Sequence, residues 1–188
     1  MTHLPVEAVV IGASAGALEA LSLILPVLPQ AYKAVVLVVV HVPPDRKSIL
    51  AELFREKCRM DVREVEDKEP LVAGTVYFAP PDYHLLVELD KSASLSSDEP
   101  VLYSRPSIDV LFESAADAYG EALVAIILTG ANEDGARGLK AVAEAGGLAL
   151  VQRPEGAFAT AMPEAAIAAC PSARILTLEE IATCLEGI

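Results

Sequence analysis

The stretch VEAVVIGASAGALEAL, residues 6–21, is an apolar run, a small-residue turn and then apolar positions at helical spacing. Strand, turn and helix follow without a loop, as in the opening βα unit of a parallel sheet. Two functions fit the turn Gly12-Ala13-Ser14-Ala15-Gly16. Its backbone N–H groups, at a helix N-terminus, suit a phosphate. Alternatively, Ser14 is a nucleophile activated by a neighbouring base. The dinucleotide fingerprint wants glycine where Ser14 stands, and no P-loop lysine follows. What stands at the ends of the other strands weighs between the two.

Outward from this unit, AVVLVVV (34–40), ALVAIIL (122–128) and GLALV (147–151) are near-continuous apolar runs. Strands covered on both faces read this way. Helical patterns lie at 16–28, at 45–57 with Asp45 or Ser48 as N-cap, at 107–120 before Gly120, and at 133–147. TLEEIATCL (177–185) adds a capping box, Thr177 with Glu180. Residues 61–103 hold closely spaced strand patterns and polar turns, which predict extra strands with antiparallel pieces at one edge of the sheet. The expected fold is α/β: a single doubly wound, mainly parallel sheet with helices on both faces, one domain over 1–188.

Composition narrows the function. The chain has 188 residues, 53% of them hydrophobic, enough for one sizeable core. A net charge of -13 and a pI near 4.6 repel phosphate backbones, so nucleic acid and anionic membranes are excluded as expected partners. Mean hydropathy is high, +0.43. Yet the most apolar run stops at Lys33 and His41, and 21–29 is broken by two prolines, so no membrane span is expected. No cationic segment precedes an apolar one at the N-terminus, and a cytoplasmic location is the expectation. Cys58, Cys170 and Cys184 fit no zinc spacing and read as reduced thiols. The three histidines include no HExxH pair; neither metal nor cofactor is expected.

Ligands of open α/β sheets bind beyond the carboxyl ends of the strands. Ser14 follows the first apolar run, His41 the second, with Pro43 and Pro44 after it. The third leads into TGANEDGARG, with Asn132, Glu133 and Asp134. Serine, histidine and carboxylate together are the set that deprotonates a hydroxyl and holds the resulting imidazolium. Each also has a structural reading. Ser14 suits a phosphate turn, His41 suits the edge of a core, and Asp134 or Glu133 suits the first turn of a helix. Their convergence on one sheet edge favours a site.

Six ordered motifs carry a resemblance. IGASAGALEAL (11–21) is similar to the serine turn of the CheB-type protein-glutamate methylesterase family, and HVPPDRKSILAELF (41–54) to its His-x-Pro-Pro segment. GTVYFAPPDYHLLV (74–87), SRPSIDVLFESAADAYG (104–120), LTGANEDGARGLKAVAEAGG (128–147) and MPEAAI (162–167) resemble its remaining motifs in order. The resemblance implies a doubly wound fold and a catalytic triad of Ser14, His41 and Asp134. It also implies backbone oxyanion donors at Ala15 and Ala131, and hydrolysis of glutamate γ-methyl esters on a methyl-accepting chemoreceptor, with deamidation of receptor glutamines at the same site. A cognate methyltransferase is a further implied partner. Arg105 and Met162 are candidate substrate-binding residues, with Tyr83 and Gln152 beside them, while His84 reads as a strand residue near the cleft. Ala17 and Pro81 replace glycines common in the family, and Ala131 replaces a methionine. The serine turn comes at residue 14, so a stand-alone member without a receiver domain is the expectation. Two other functions remain open: a catalytically silent docking module and a nucleotide-binding domain.

Overall fold

The computed structural model describes residues 5–188 except Pro44, Arg46 and Lys47. The expected stiffening by Pro44 and the start of the 45–57 helical pattern at Arg46 and Lys47 therefore lie outside the described residues. In chain order the elements are β1 (Ala8–Ala13), α1 (Ala17–Ile24), β2 (Val35–Val40), α2 (Leu50–Lys57), β3 (Asp61–Glu64) and β4 (Thr75–Phe78). Then come β5 (His84–Val87), β6 (Ala93–Ser96), α3 (Ile108–Tyr119), β7 (Leu123–Ile127) and α4 (Ala136–Glu144). The last are β8 (Leu148–Gln152), α5 (Ala161–Ala169), β9 (Arg174–Leu176) and α6 (Leu178–Glu186).

Seven strands form a parallel sheet in the order β3-β4-β2-β1-β7-β8-β9. Strand side chains alternate between its two faces. Val10, Leu37, Val39, Ala125 and Ile127 pack with α3, α4 and α5 on one face. Val9, Ile11, Val36, Val38, Val124 and Ile126 pack with α1, α2 and α6 on the other. Both faces being covered explains the unbroken apolar runs.

The chain leaves β1 towards β2 in one direction and later returns to β7 on the opposite side. The carboxyl end of β1 is therefore the switch point of a doubly wound sheet. Register aligns Ala13 with Val40, and Gly12 with Val39 and Ile127, so these three strands end level.

Residues 61–103 differ in part from expectation. β3 and β4 extend the main sheet in parallel. The antiparallel pieces are not at its edge: β5 and β6 form a separate hairpin. Leu85, Val87 and Ala93 bury its inner face in the core that holds α3, and the Val87 amide donates to Ser114 Oγ at 3.0 Å. After β4 the chain runs Ala79-Pro80-Pro81, and proline has no N–H to continue a ladder. α2 begins at Leu50, later than the pattern suggests, and Ser48 Oγ accepts the Leu50 amide at 3.4 Å. The capping box of Thr177 and Glu180 is present in full.

Candidate active site

Ser14 stands one residue beyond β1. Its amide donates to the Thr129 carbonyl at 2.9 Å, and its carbonyl accepts the Ala17 amide at 3.0 Å, closing the turn into α1. Gly16 makes this turn possible with φ +85, and a Cβ there would lie 2.6 Å from Phe158 Cβ. Thr129 pins the turn once more: Oγ1 donates to the Ala15 carbonyl at 2.8 Å, while it accepts the Ala159 amide at 2.9 Å.

His41 stands one residue beyond β2, and its amide donates to the Ala13 carbonyl at 3.2 Å, beside Ser14 on the neighbouring strand. Its Nε2 lies 2.7 Å from Asp134 Oδ2. Asp134 is fully buried in the loop from β7 to α4. Its carboxylate is acceptor-only, so Nε2 carries the proton and the Nδ1 lone pair is left for a substrate-side partner.

The structural reading of Asp134, an acidic residue in the first turn of the following helix, does not hold: Asp134 lies ahead of α4, whose first turn carries no acidic residue. Asp134 caps α3. Oδ1 accepts from Ser107 Oγ at 2.9 Å and from the Asp109 amide at 3.0 Å, and Oδ2 accepts the Ile108 amide at 2.7 Å. Burial alone would raise the Asp134 carboxyl. Hydrogen bonds from His41, Ile108 and Asp109 outweigh it and hold the group below the usual carboxylate range. A carboxylate that stays ionised beside an imidazole stabilises its protonated form. Gly12 lets the two parts meet: a Cβ on it would lie 2.4 Å from Ile108 Cγ2, at the first residue of α3.

Neither the Ala15 nor the Ala131 amide has a protein acceptor among the described residues. An open cleft of about 460 Å³ adjoins His41, lined also by Val42, Pro43, Asp82, Tyr103 and Arg105. Arg105 faces this cleft, but its guanidinium is engaged: Nε and Nη2 donate to Asp82 Oδ1, and Nη1 to the carbonyls of Ser97 and Asp98. Met162 is only 1% exposed; it packs beneath Gly130 and supports the Ala131 loop from below rather than lining a groove. Gln152 is also buried, its Oε1 accepting the Thr129 amide at 2.9 Å, while Tyr83 is exposed. His84 is buried, accepting the Ser107 amide on Nδ1 at 3.1 Å and donating from Nε2 to the Glu99 carbonyl at 3.0 Å. Among the described residues no helix is long and apolar enough to cross a membrane.

The model of the CheB methylesterase family matches residues 9–185. The chain belongs to the CheB methylesterase family. Two relatives from Leptospira interrogans strains are 47% identical over 94% of this chain and 91% of their own; both are described as a putative protein-glutamate methylesterase/protein-glutamine glutaminase. The protein-glutamate methylesterase/protein-glutamine glutaminase of Symbiobacterium thermophilum is 37% identical over 96% of this chain, which spans 50% of that relative. The crystal structure of the Thermotoga maritima CheB methylesterase catalytic domain superposes with a TM-score of 0.92 at 31% identity, covering 98% of this chain and 99% of that one. Membership in a CheB hydrolase family sets aside a nucleotide-binding role for the serine turn.

Sequence reasoning singled out no role for Ser107, Asp109 or Thr129, although all three lie in the motifs quoted above. One signal was available. Gly135, the residue before α4, has no side chain with which to cap that helix.

Proposed function

We propose that this chain hydrolyses glutamate γ-methyl esters on a chemoreceptor-type protein, with Ser14 as nucleophile, His41 as general base and Asp134 as the residue that orients it. The supporting observation is the 2.7 Å bond from His41 Nε2 to a buried, ionised Asp134, one strand away from the serine turn. Ser14 Oγ attacks the ester carbonyl as His41 Nδ1 takes its proton. The Ala15 and Ala131 amides stabilise the oxyanion, at roughly 3 kcal/mol per donor in comparable sites. Collapse breaks the C–O bond, His41 returns the proton, and methanol leaves. Water then attacks the acyl-serine by the same route, restoring Ser14 and releasing the γ-carboxylate. With a glutamine substrate the leaving group is ammonia. A cognate receptor methyltransferase would supply the ester, and the reaction belongs in the cytoplasm. Arg105 enters as part of the cleft wall.

The test is methanol release from a methylated chemoreceptor cytoplasmic fragment, native chain against Ser14→Ala. Release that disappears in the variant, with an unchanged melting temperature, supports the reading. Release that persists overturns it. If neither chain releases methanol, stoichiometric labelling of Ser14 by a fluorophosphonate separates a live site on the wrong substrate from a silent docking module.

A further inference from the structure

α3 and α4 are capped in a reciprocal way. Ser107 occupies the N-cap position of α3, yet makes no side-chain bond to its own helix. Its hydroxyl donates to Asp134 instead. Gly135 occupies the N-cap position of α4 and has no side chain to offer. Each helix takes its cap from the other. Asp134, just ahead of α4, accepts the first amides of α3, and Asp109, in the first turn of α3, accepts the first amides of α4. Asp109 Oδ1 receives both the Gly135 amide at 3.0 Å and the Gly138 amide at 2.7 Å. The helices are pressed together here, since a Cβ on Gly138 would lie 2.6 Å from Phe112 Cβ and 3.1 Å from Asp109 Cα.

We propose that Asp109 is a positioning residue for the triad: by gripping Gly135 and the first turn of α4, its carboxylate holds Asp134 on the α3 N-terminus and so against His41. The residue it grips most closely in sequence is the immediate neighbour of Asp134. No alternative acceptor serves the Gly135 or Gly138 amide among the described residues. The groups facing Asp109 are Asp134 and Arg137 from the α4 side and Glu113 from its own helix. Burial pushes its carboxyl up to about 6, the Gly138 amide works against that, and the Asp134 charge adds to it. A buried carboxylate at the point where Asp134 is anchored fits a positioning task better than one of stability.

The proposal rests on the triad reading, so its test reads Ser14 directly. The second-order rate of fluorophosphonate labelling is measured for the native chain, Asp109→Ala and Asp109→Asn, with Tm and the downfield proton resonance of His41 Nε2. Asparagine keeps an oxygen for both amides, and alanine keeps none. In Asp109→Ala the expected loss of labelling rate is on the order of tenfold to a hundredfold, the scale of a small misplacement of a reacting group. The alanine variant also loses the imidazole resonance, whereas Asp109→Asn keeps the signal and labels within a few-fold of native. If the alanine variant does not fold, Asp109→Ser takes its place. Native-like labelling and an intact resonance in the folded alanine or serine variant would overturn the proposal. So would an asparagine variant as slow as alanine. Absence of Ser14 labelling in the native chain is a different result, because it removes the triad reading itself.

Discussion

Replacing Asp109 by asparagine should stabilise the protein at neutral pH. The side chain is 3% exposed, and burial is the largest influence on its carboxyl, raising it from 3.8 to about 6. A carboxyl whose folded value is raised favours folding fully below the unfolded value, and that contribution disappears as pH rises through the folded one. In the native chain the loss therefore develops between about pH 4 and pH 6 and is nearly complete by pH 7. The gap corresponds to at most about 3 kcal/mol, taking about 1.4 kcal/mol per tenfold change. Asparagine resembles the protonated carboxyl, keeps an acceptor for Gly135 and Gly138, and carries no charge to desolvate. For a chain of this length, about 3 kcal/mol corresponds to roughly 6–12 °C in Tm. Thermal unfolding followed by circular dichroism from pH 4 to pH 8 should give coincident curves at pH 4 and a gap that opens towards pH 7. A pH-independent difference, or a less stable Asp109→Asn at pH 8, would refute the reasoning. Either would mean that Asp109 is accommodated as an ion without cost.

Asp134→Ala should cost about 3–5 kcal/mol of stability, because it strands the buried α3 amides and the Ser107 hydroxyl. Turnover should fall by about 10⁴-fold. Urea unfolding at pH 7.5 and single-turnover kinetics read the two effects separately, and near-native stability would contradict the capping role. Gly138→Ala adds a methyl 2.6 Å from Phe112 Cβ and should destabilise by about 1–3 kcal/mol. It should slow Ser14 labelling as well, since α4 must move away from Asp109. An alanine variant with native Tm and native labelling would show that the helices separate freely.

Much of the site was legible in the chain because strand ends announce themselves. Unbroken apolar runs marked β1, β2, β7 and β8, and parallel pairing then carried the residues after them to one edge. Ser14, His41 and Asp134 followed from that logic, and the capping box at Thr177 followed from local spacing alone. β9 and α5 were not marked as elements, because Arg174–Leu176 is short and α5 is built mostly of small residues without a strong apolar face. The hairpin of β5 and β6 read as sheet edge. Alternation sets which face of a strand is buried, and says nothing about which surface buries it.

What the sequence determined by itself is what local chemistry settles: the strand and helix periods, the glycine turn at Ser14, and the Ser, His and Asp at strand ends. Tertiary structure decided which groups each side chain serves. Asp134 looks in sequence like an acidic residue in the first turn of the helix that follows it, but it caps α3 and holds His41. Asp109 lies in the first turn of its own helix and caps α4. Ser107, at the N-cap position of α3, donates to Asp134. A carboxylate bonds whatever donors three dimensions bring within about 3 Å. For these residues the bonded partners lie 25 to 93 positions away in the chain.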